Sequence, residues 1–191
     1  MALEQLIDNS RTDKNNGHHY LGLYNVLFNT KKLSAKNILE IGIGGGGGSI
    51  KLWHDYFVNA NITAIDILHI DTFYDDLKNN ERIKLFTSSD AYNSDFFIDN
   101  ILNCNIKYDI IIDDGPHTLE SMIKFIKLYR HLLADDGIMI IEDIQDWDWI
   151  QSLVENIPQE LRRYVDAYDL RNINNRWDDI LLVINKSKPL F

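Results

Sequence analysis

Residues 40–48 read Glu-Ile-Gly-Ile-Gly-Gly-Gly-Gly-Gly, and no other run limits so strongly what this chain can become. It follows a short apolar segment, residues 37–42, and precedes a stretch with Ile50, Leu52, Trp53, Tyr56 and Phe57 at helical spacing. A buried strand that ends in glycines and opens a helix is the start of a βα unit. Glycines there let the backbone take positive φ and come close to a ligand. In sheets built from such units, ligands bind at the carboxyl ends of the strands.

The alternation continues along the chain. Residues 62–66, 82–87, 108–115 and 137–143 predict four further strands. The segment 108–115 holds Ile110, Ile111 and Ile112 in a row, as in a strand covered on both faces. Helices are predicted over 18–29, where Tyr20, Leu23, Tyr24, Leu27 and Phe28 share a face, and over 118–134, ended by Asp135-Asp136-Gly137. Another runs from about 147 to 156, bounded by Pro158. Two last strands, 164–171 and 179–186, are too close for a crossover helix and so form an antiparallel hairpin. The sum is an α/β fold, a doubly wound and mostly parallel sheet ending in a hairpin. Its 191 residues suit one domain, with residues 1–17 as a polar, turn-rich leader. The single cysteine, Cys104, excludes an internal disulfide and a cysteine-based zinc site, and reads as a small buried residue.

The glycine loop fits two cofactors. Gly42, Gly44 and Gly47 satisfy the dinucleotide pattern GxGxxG, while Glu40, Gly42, Gly44 and Gly46 satisfy ExGxGxG, which suggests S-adenosyl-L-methionine. Asp66, closing the second strand, could accept hydrogen bonds from the ribose of either. Ser89 and Asp90, after the third strand, fall where an adenine edge would lie, or cap a helix. Acids dominate the remaining rim. Asp113-Asp114-Gly115-Pro116-His117 follows one strand and Glu142-Asp143 ends its neighbour. Like charges so close need a cation or a raised pKa, and oxygen ligands favour Mg2+, Mn2+ or Ca2+ over zinc. Beside such a cation His117 is a candidate general base. The formal charge of −10 argues against nucleic acid or an anionic membrane as partner. No signal core or spanning segment is seen, so a cytoplasmic protein is expected.

Four segments carry a family resemblance: TDKNNGHHY (12–20), LEIGIGGGGGS (39–49), IIDDGPH (111–117) and IEDIQ (141–145), with a weaker fifth in DLRN…RWDD (169–179). Together they resemble class I S-adenosylmethionine-dependent methyltransferases. More narrowly, they resemble metal-dependent sugar O-methyltransferases of the mycinamicin and tylosin type, with cephalosporin hydroxylase-like relatives. The resemblance implies a Rossmann-like seven-stranded sheet of order 3-2-1-4-5-7-6. It implies Asp114, Glu142 and Asp143 as ligands of Mg2+ or Mn2+, and His117 as base. Cofactor contacts would come from Lys14, His19, Tyr20, Glu40, Gly42, Gly44, Asp66, Ser89, Asp90 and Asp113. Residues 1–30 would form a leader and helix covering the cofactor, and residues 31–191 the methyltransferase domain.

The expected reaction is methyl transfer to a hydroxyl of a sugar, nucleotide-sugar or glycoside acceptor, a small-molecule partner, in a chain that could act as a homo-oligomer. A catechol-type acceptor, an NAD-dependent oxidoreductase and a non-catalytic binding module are the competing readings. Trp147 and Trp149 could stack on an acceptor or simply dock a helix; Arg171 and Arg176 could bind an anionic acceptor or stay solvated.

Overall fold

The apolar runs become seven strands of one sheet in the order β3-β2-β1-β4-β5-β7-β6, as expected. Residues 1–188 are described here in a computed structural model of the chain; the last three residues of the expected 31–191 domain lie outside them. The elements run α1 (Tyr20–Phe28), β1 (Asn37–Ile41), α2 (Gly48–Tyr56), β2 (Asn61–Ile65), α3 (Asp75–Lys78), β3 (Ile83–Phe86) and α4 (Ser94–Asn100). They continue with β4 (Tyr108–Asp113), α5 (Leu119–Tyr129), β5 (Leu133–Ile141), α6 (Trp149–Asn156), α7 (Gln159–Arg162), β6 (Val165–Asp169), α8 (Arg171–Asn174) and β7 (Ile180–Asn185). Strands β1 to β5 are parallel, and β7 runs antiparallel to both β5 and β6.

Strand side chains point alternately to the two faces of the sheet. Ile38, Ile110, Ile112, Ile138, Ile140, Leu181 and Val183 pack with Tyr20, Tyr24, Phe28, Trp53 and Phe57 of α1 and α2 and the residue after it. Leu39, Ile41, Ile111, Met139, Ile141 and Leu182 pack with Phe97, Phe125, Tyr129 and Leu153 of α4, α5 and α6. Each such side chain contributes roughly 1.5–3 kcal/mol when fully buried, before chain entropy is counted. The N-terminal residues share the first core, since Leu3 is buried in it.

Three expectations need correction. The helix expected over 118–134 ends at Tyr129, and a 3-10 turn (Arg130–Leu132) follows. Leu133 already pairs with Tyr108, so β5 begins before the Asp135-Asp136-Gly137 run read as a turn. The register shifts there, and both acids are exposed while Leu133 stays buried. Cys104 is exposed on a short 3-10 turn, because Ile101 fills the core instead. The hairpin connection holds a one-turn helix, α8, closed by Asn175 in a left-handed conformation. Among the described residues no helix is long and apolar enough to cross a membrane.

Register sets up the site. Ile41 pairs with Ile65 and Asp113, and Asp113 pairs with Ile141. The residues that follow, Gly42, Asp66, Asp114 and Glu142, therefore emerge in one row at the carboxyl ends.

Candidate active site

A cavity of about 590 Å³ opens at that row. Gly42, Gly44, Asp66, Ser89, Asp90, Asp114, His117 and Asp143 all lie on its wall. Gly42 has φ +79°, and a Cβ there would sit 1.8 Å from the Asp114 carbonyl oxygen, so only glycine fits. Asp66 fastens the loop. Its Oδ2 accepts hydrogen bonds from the backbone N–H of Ile43 (2.7 Å) and Gly44 (3.1 Å), and its Oδ1 from Leu68 (2.8 Å).

Strand parity sorts the acids. Glu40, Asp114 and Glu142 share the α1 side of the sheet, whereas Asp113 points to the opposite side and accepts a hydrogen bond from Tyr92. Burial pushes the Asp113 carboxyl up to about 7 despite that bond. Glu40 is also buried and also pushed up to about 7 by desolvation, against the pull of Lys14. Its Oε2 accepts from Trp53 Nε1 (2.5 Å), and its Oε1 has no hydrogen-bond partner.

Residues 13–24 meet these acids with donors. Lys14, read from a polar leader, is only 2% exposed. Its Nζ lies 2.8 Å from Asp114 Oδ2, 2.5 Å from Glu142 Oε2 and 3.6 Å from Glu40 Oε1. Desolvation opposes its charge, but the three carboxylates outweigh it and hold the ammonium well above its ordinary pKa. Tyr24 donates to the other oxygen of Glu142, and Tyr20 donates to Asp143 Oδ1. His18 Nδ1 is 2.6 Å from Asp179 Oδ1 and 3.3 Å from Asp143 Oδ1, and its Nε2 is 3.5 Å from Asp13. Burial works against the imidazolium, yet Asp13, Asp143 and Asp179 raise His18 to about 9.

The ligand atoms of Asp114, His117 and Asp143 lie within 4.8 Å of one another. His117 Nε2 stands 3.8 Å from Asp114 Oδ1 and 3.7 Å from Asp143 Oδ2. Both His117 (φ +53°) and Asp143 (φ +55°) adopt left-handed backbone, a strained choice that turns their side chains into the cavity rim. Glu142, expected with Asp114 and Asp143, is buried behind them with both oxygens engaged. Lys14, Tyr20, Glu40 and Asp113 likewise sit behind the wall rather than on it. His19 is half-buried, off the cavity, with Nδ1 unpartnered; its neighbour His18 faces the cavity instead.

Asp13 and His18, in the leader that the resemblance folds over the cofactor, reach the wall; sequence reasoning missed Tyr92 and Asp178 as wall residues and Asp179 as the partner of His18. One signal was present: Asp178-Asp179 opens a strand rim as Asp113-Asp114 closes one. Arg176 is on the wall but paired with Asp178 (2.8 Å), and Arg171 is spent on Asp169 (2.7 Å) off the cavity. Trp147 and Trp149 lie outside this cavity, at and before the start of α6.

No protein-family model matches the chain. Mycinamicin VI 2''-O-methyltransferase of Micromonospora griseorubida is 28% identical over 139 residues, 69% of this chain and 33% of that protein. L-olivosyl-oleandolide 3-O-methyltransferase of Streptomyces antibioticus is 30% identical over 149 residues, 74% of this chain and 36% of that protein. The chain spans about a third of the length of the curated relatives it matches. Among solved structures, MycE methyltransferase in complex with Mg, SAH and mycinamycin VI superposes with a TM-score of 0.73 at 20% identity, covering 97% of this chain and 53% of that one. A fibrillarin from Methanococcus jannaschii gives a TM-score of 0.58 at 19% identity over 82% of this chain and 69% of its own. The fold is thus Rossmann-like and of the methyltransferase type, and the resemblance read from the motif segments stands.

Proposed function

We propose that this chain, with its methyltransferase fold and its sugar O-methyltransferase relatives, is an S-adenosyl-L-methionine-dependent O-methyltransferase. It uses a divalent cation, Mg2+ or Mn2+, and acts on a hydroxyl of a sugar or glycoside acceptor. The observation that carries the reading is one cavity joining the glycine loop and Asp66 to Asp114, His117 and Asp143. The acceptor class comes from the names of the relatives.

The residues fit these groups. Gly44 leaves open space for close approach, Gly42 lets the loop pack on Asp114, and Asp66 offers an anchored carboxylate beside the loop. Asp114 and Asp143 give hard oxygen donors, with Glu142 behind them, which suits Mg2+. The cluster of His18, Asp178 and Asp179 suits an ion less, because His18 already bonds Asp179 and Arg176 pairs with Asp178. When bound, the cofactor supplies an electrophilic methyl group and leaves as S-adenosylhomocysteine, while the cation acidifies the acceptor hydroxyl. Ser89 and Asp90, on the cavity wall, would border the adenine, and Tyr92, also on the wall, donates to Asp113. His117 Nε2, at the opposite end, takes the hydroxyl proton. Lys14, Tyr20, Glu40 and Asp113 act through the residues they hold. Residues 1–30 form one edge of the site, where Asp13 and His18 reach the wall and the Arg11 carbonyl packs on Gly48.

The test is transfer of a labelled methyl group from S-adenosylmethionine to rhamnosyl and olivosyl glycosides, the free sugars and a catechol, with Mg2+ and with EDTA. Transfer to a glycoside, lost in EDTA, is the expected result. His117→Ala should slow it by about 10²–10⁴-fold while S-adenosylhomocysteine still binds. Calorimetric binding of NAD in place of S-adenosylmethionine would overturn the reading, and transfer to the catechol alone would replace the acceptor class.

A further inference from the structure

Lys14 is a buried ammonium with no direct part in the proposed methyl or proton transfer. An unpaired ammonium is costly to bury, so its partners define its purpose. Two of them, Asp114 and Glu142, belong to the set that the family resemblance assigns to a divalent ion. Lys14 Nζ holds Oδ2 of Asp114 at 2.8 Å, which leaves Oδ1 on the His117 side, 3.8 Å from Nε2. It holds Oε2 of Glu142 at 2.5 Å, and Tyr24 occupies the other oxygen, so Glu142 has none to spare. The third partner is different. Glu40 Oε1 is fully buried, lacks a hydrogen-bond partner, and lies 3.6 Å from the same ammonium. An orphaned buried carboxylate oxygen is costly unless a donor can reach it.

Resting on the cation-assisted reading above, we infer that Lys14 is a positioning residue that trades partners with the divalent ion. It orients Asp114 and Glu142, and turns to Glu40 as those carboxylates are taken up by the ion. The exchange gives the ammonium a carboxylate partner in both arrangements, and it makes Glu142 available without moving strand β5.

A double-mutant cycle read by Mn2+ affinity tests this, using calorimetry or the paramagnetic resonance of free Mn2+. Lys14→Met removes the competing cation and should tighten Mn2+ by about tenfold. Glu40→Gln keeps an acceptor for Trp53 but removes the anionic resting place, and should weaken Mn2+ by about tenfold. In the Lys14→Met background the Glu40→Gln penalty should shrink to under about twofold, because no ammonium remains to be received. Equal penalties in both backgrounds would mean simple through-space charge effects and would overturn the exchange. Weaker Mn2+ binding by folded Lys14→Met would overturn it as well, since a mere scaffold predicts that sign. Should Lys14→Met not fold, Lys14→Gln, which keeps N–H donors, takes its place in the cycle. Wild-type protein that binds no Mn2+ would overturn the inference together with the cation reading, and S-adenosylmethionine binding would then be judged separately.

Discussion

The two ends of the cavity are built by opposite means. The glycine-loop end is held by backbone donors onto one carboxylate, Asp66, from residues 2 to 23 positions away. The acid end is held by side chains from far along the chain: Lys14 reaches over 100 residues to Asp114 and 128 to Glu142, and Tyr20 over 123 to Asp143. Backbone-built sites tolerate side-chain change but no added atoms. Side-chain-built sites tolerate shape change but not the loss of a donor where the acid is buried, as Glu142 and Asp143 are.

The contrast can be broken at either end. The largest effect is expected at Gly42. Gly42→Ala puts a Cβ 1.8 Å from the Asp114 carbonyl oxygen at φ +79°, and should destabilise the fold by roughly 3–5 kcal/mol, a fall of about 10 °C in Tm. An unchanged melting curve would show that the loop is looser than its contacts imply. Tyr24→Phe attacks the acid end instead. It strips one oxygen of buried Glu142 of its donor and should cost about 1–3 kcal/mol, while S-adenosylhomocysteine affinity stays within about twofold. Loss of cofactor affinity in that variant would mean the two ends are one unit. The smallest effect is a pH dependence at the rim. The hydrogen bond to His18 holds the Asp13 carboxyl down to about 2, below its value in the unfolded chain. Its stabilisation is therefore present above the usual carboxylate range and is lost as pH falls through about 2. Asp13 is solvent-exposed, so Asp13→Asn should cost under about 1 kcal/mol near neutrality, and the gap in Tm should close as the pH approaches 2. A gap that stays constant with pH would remove the charge from the explanation.

The same contrast explains what the sequence disclosed. Gly42, Asp66, Asp114, His117 and Asp143 were legible because strand ends in a parallel sheet share a rim, and acids or glycines there stand out against isoleucine runs. Strand parity put Glu40 and Glu142 on the inner side, where a motif can name them but only packing shows that they face Lys14 and Tyr24. His18 and His19 are adjacent and chemically identical, and the start of α1 alone decides which one meets Asp179. The premature start of β5 at Leu133 was hidden because Asp135-Asp136-Gly137 carries a turn composition that the pairing of Leu133 with Tyr108 overrides.

The buried lysine has a consequence for how the protein is made. Lys14 is synthesised first, and Glu142 follows 128 residues later. At about 5–20 residues per second, the ammonium waits roughly 6–25 s on the ribosome for that carboxylate to be added. His18 waits longer for Asp179. Lys14 and His18 can therefore settle against the acid rim only once Glu142 and Asp179 have been added. Closure of the acid rim must wait for Asp179, which is added after strands β1 to β6 have been made.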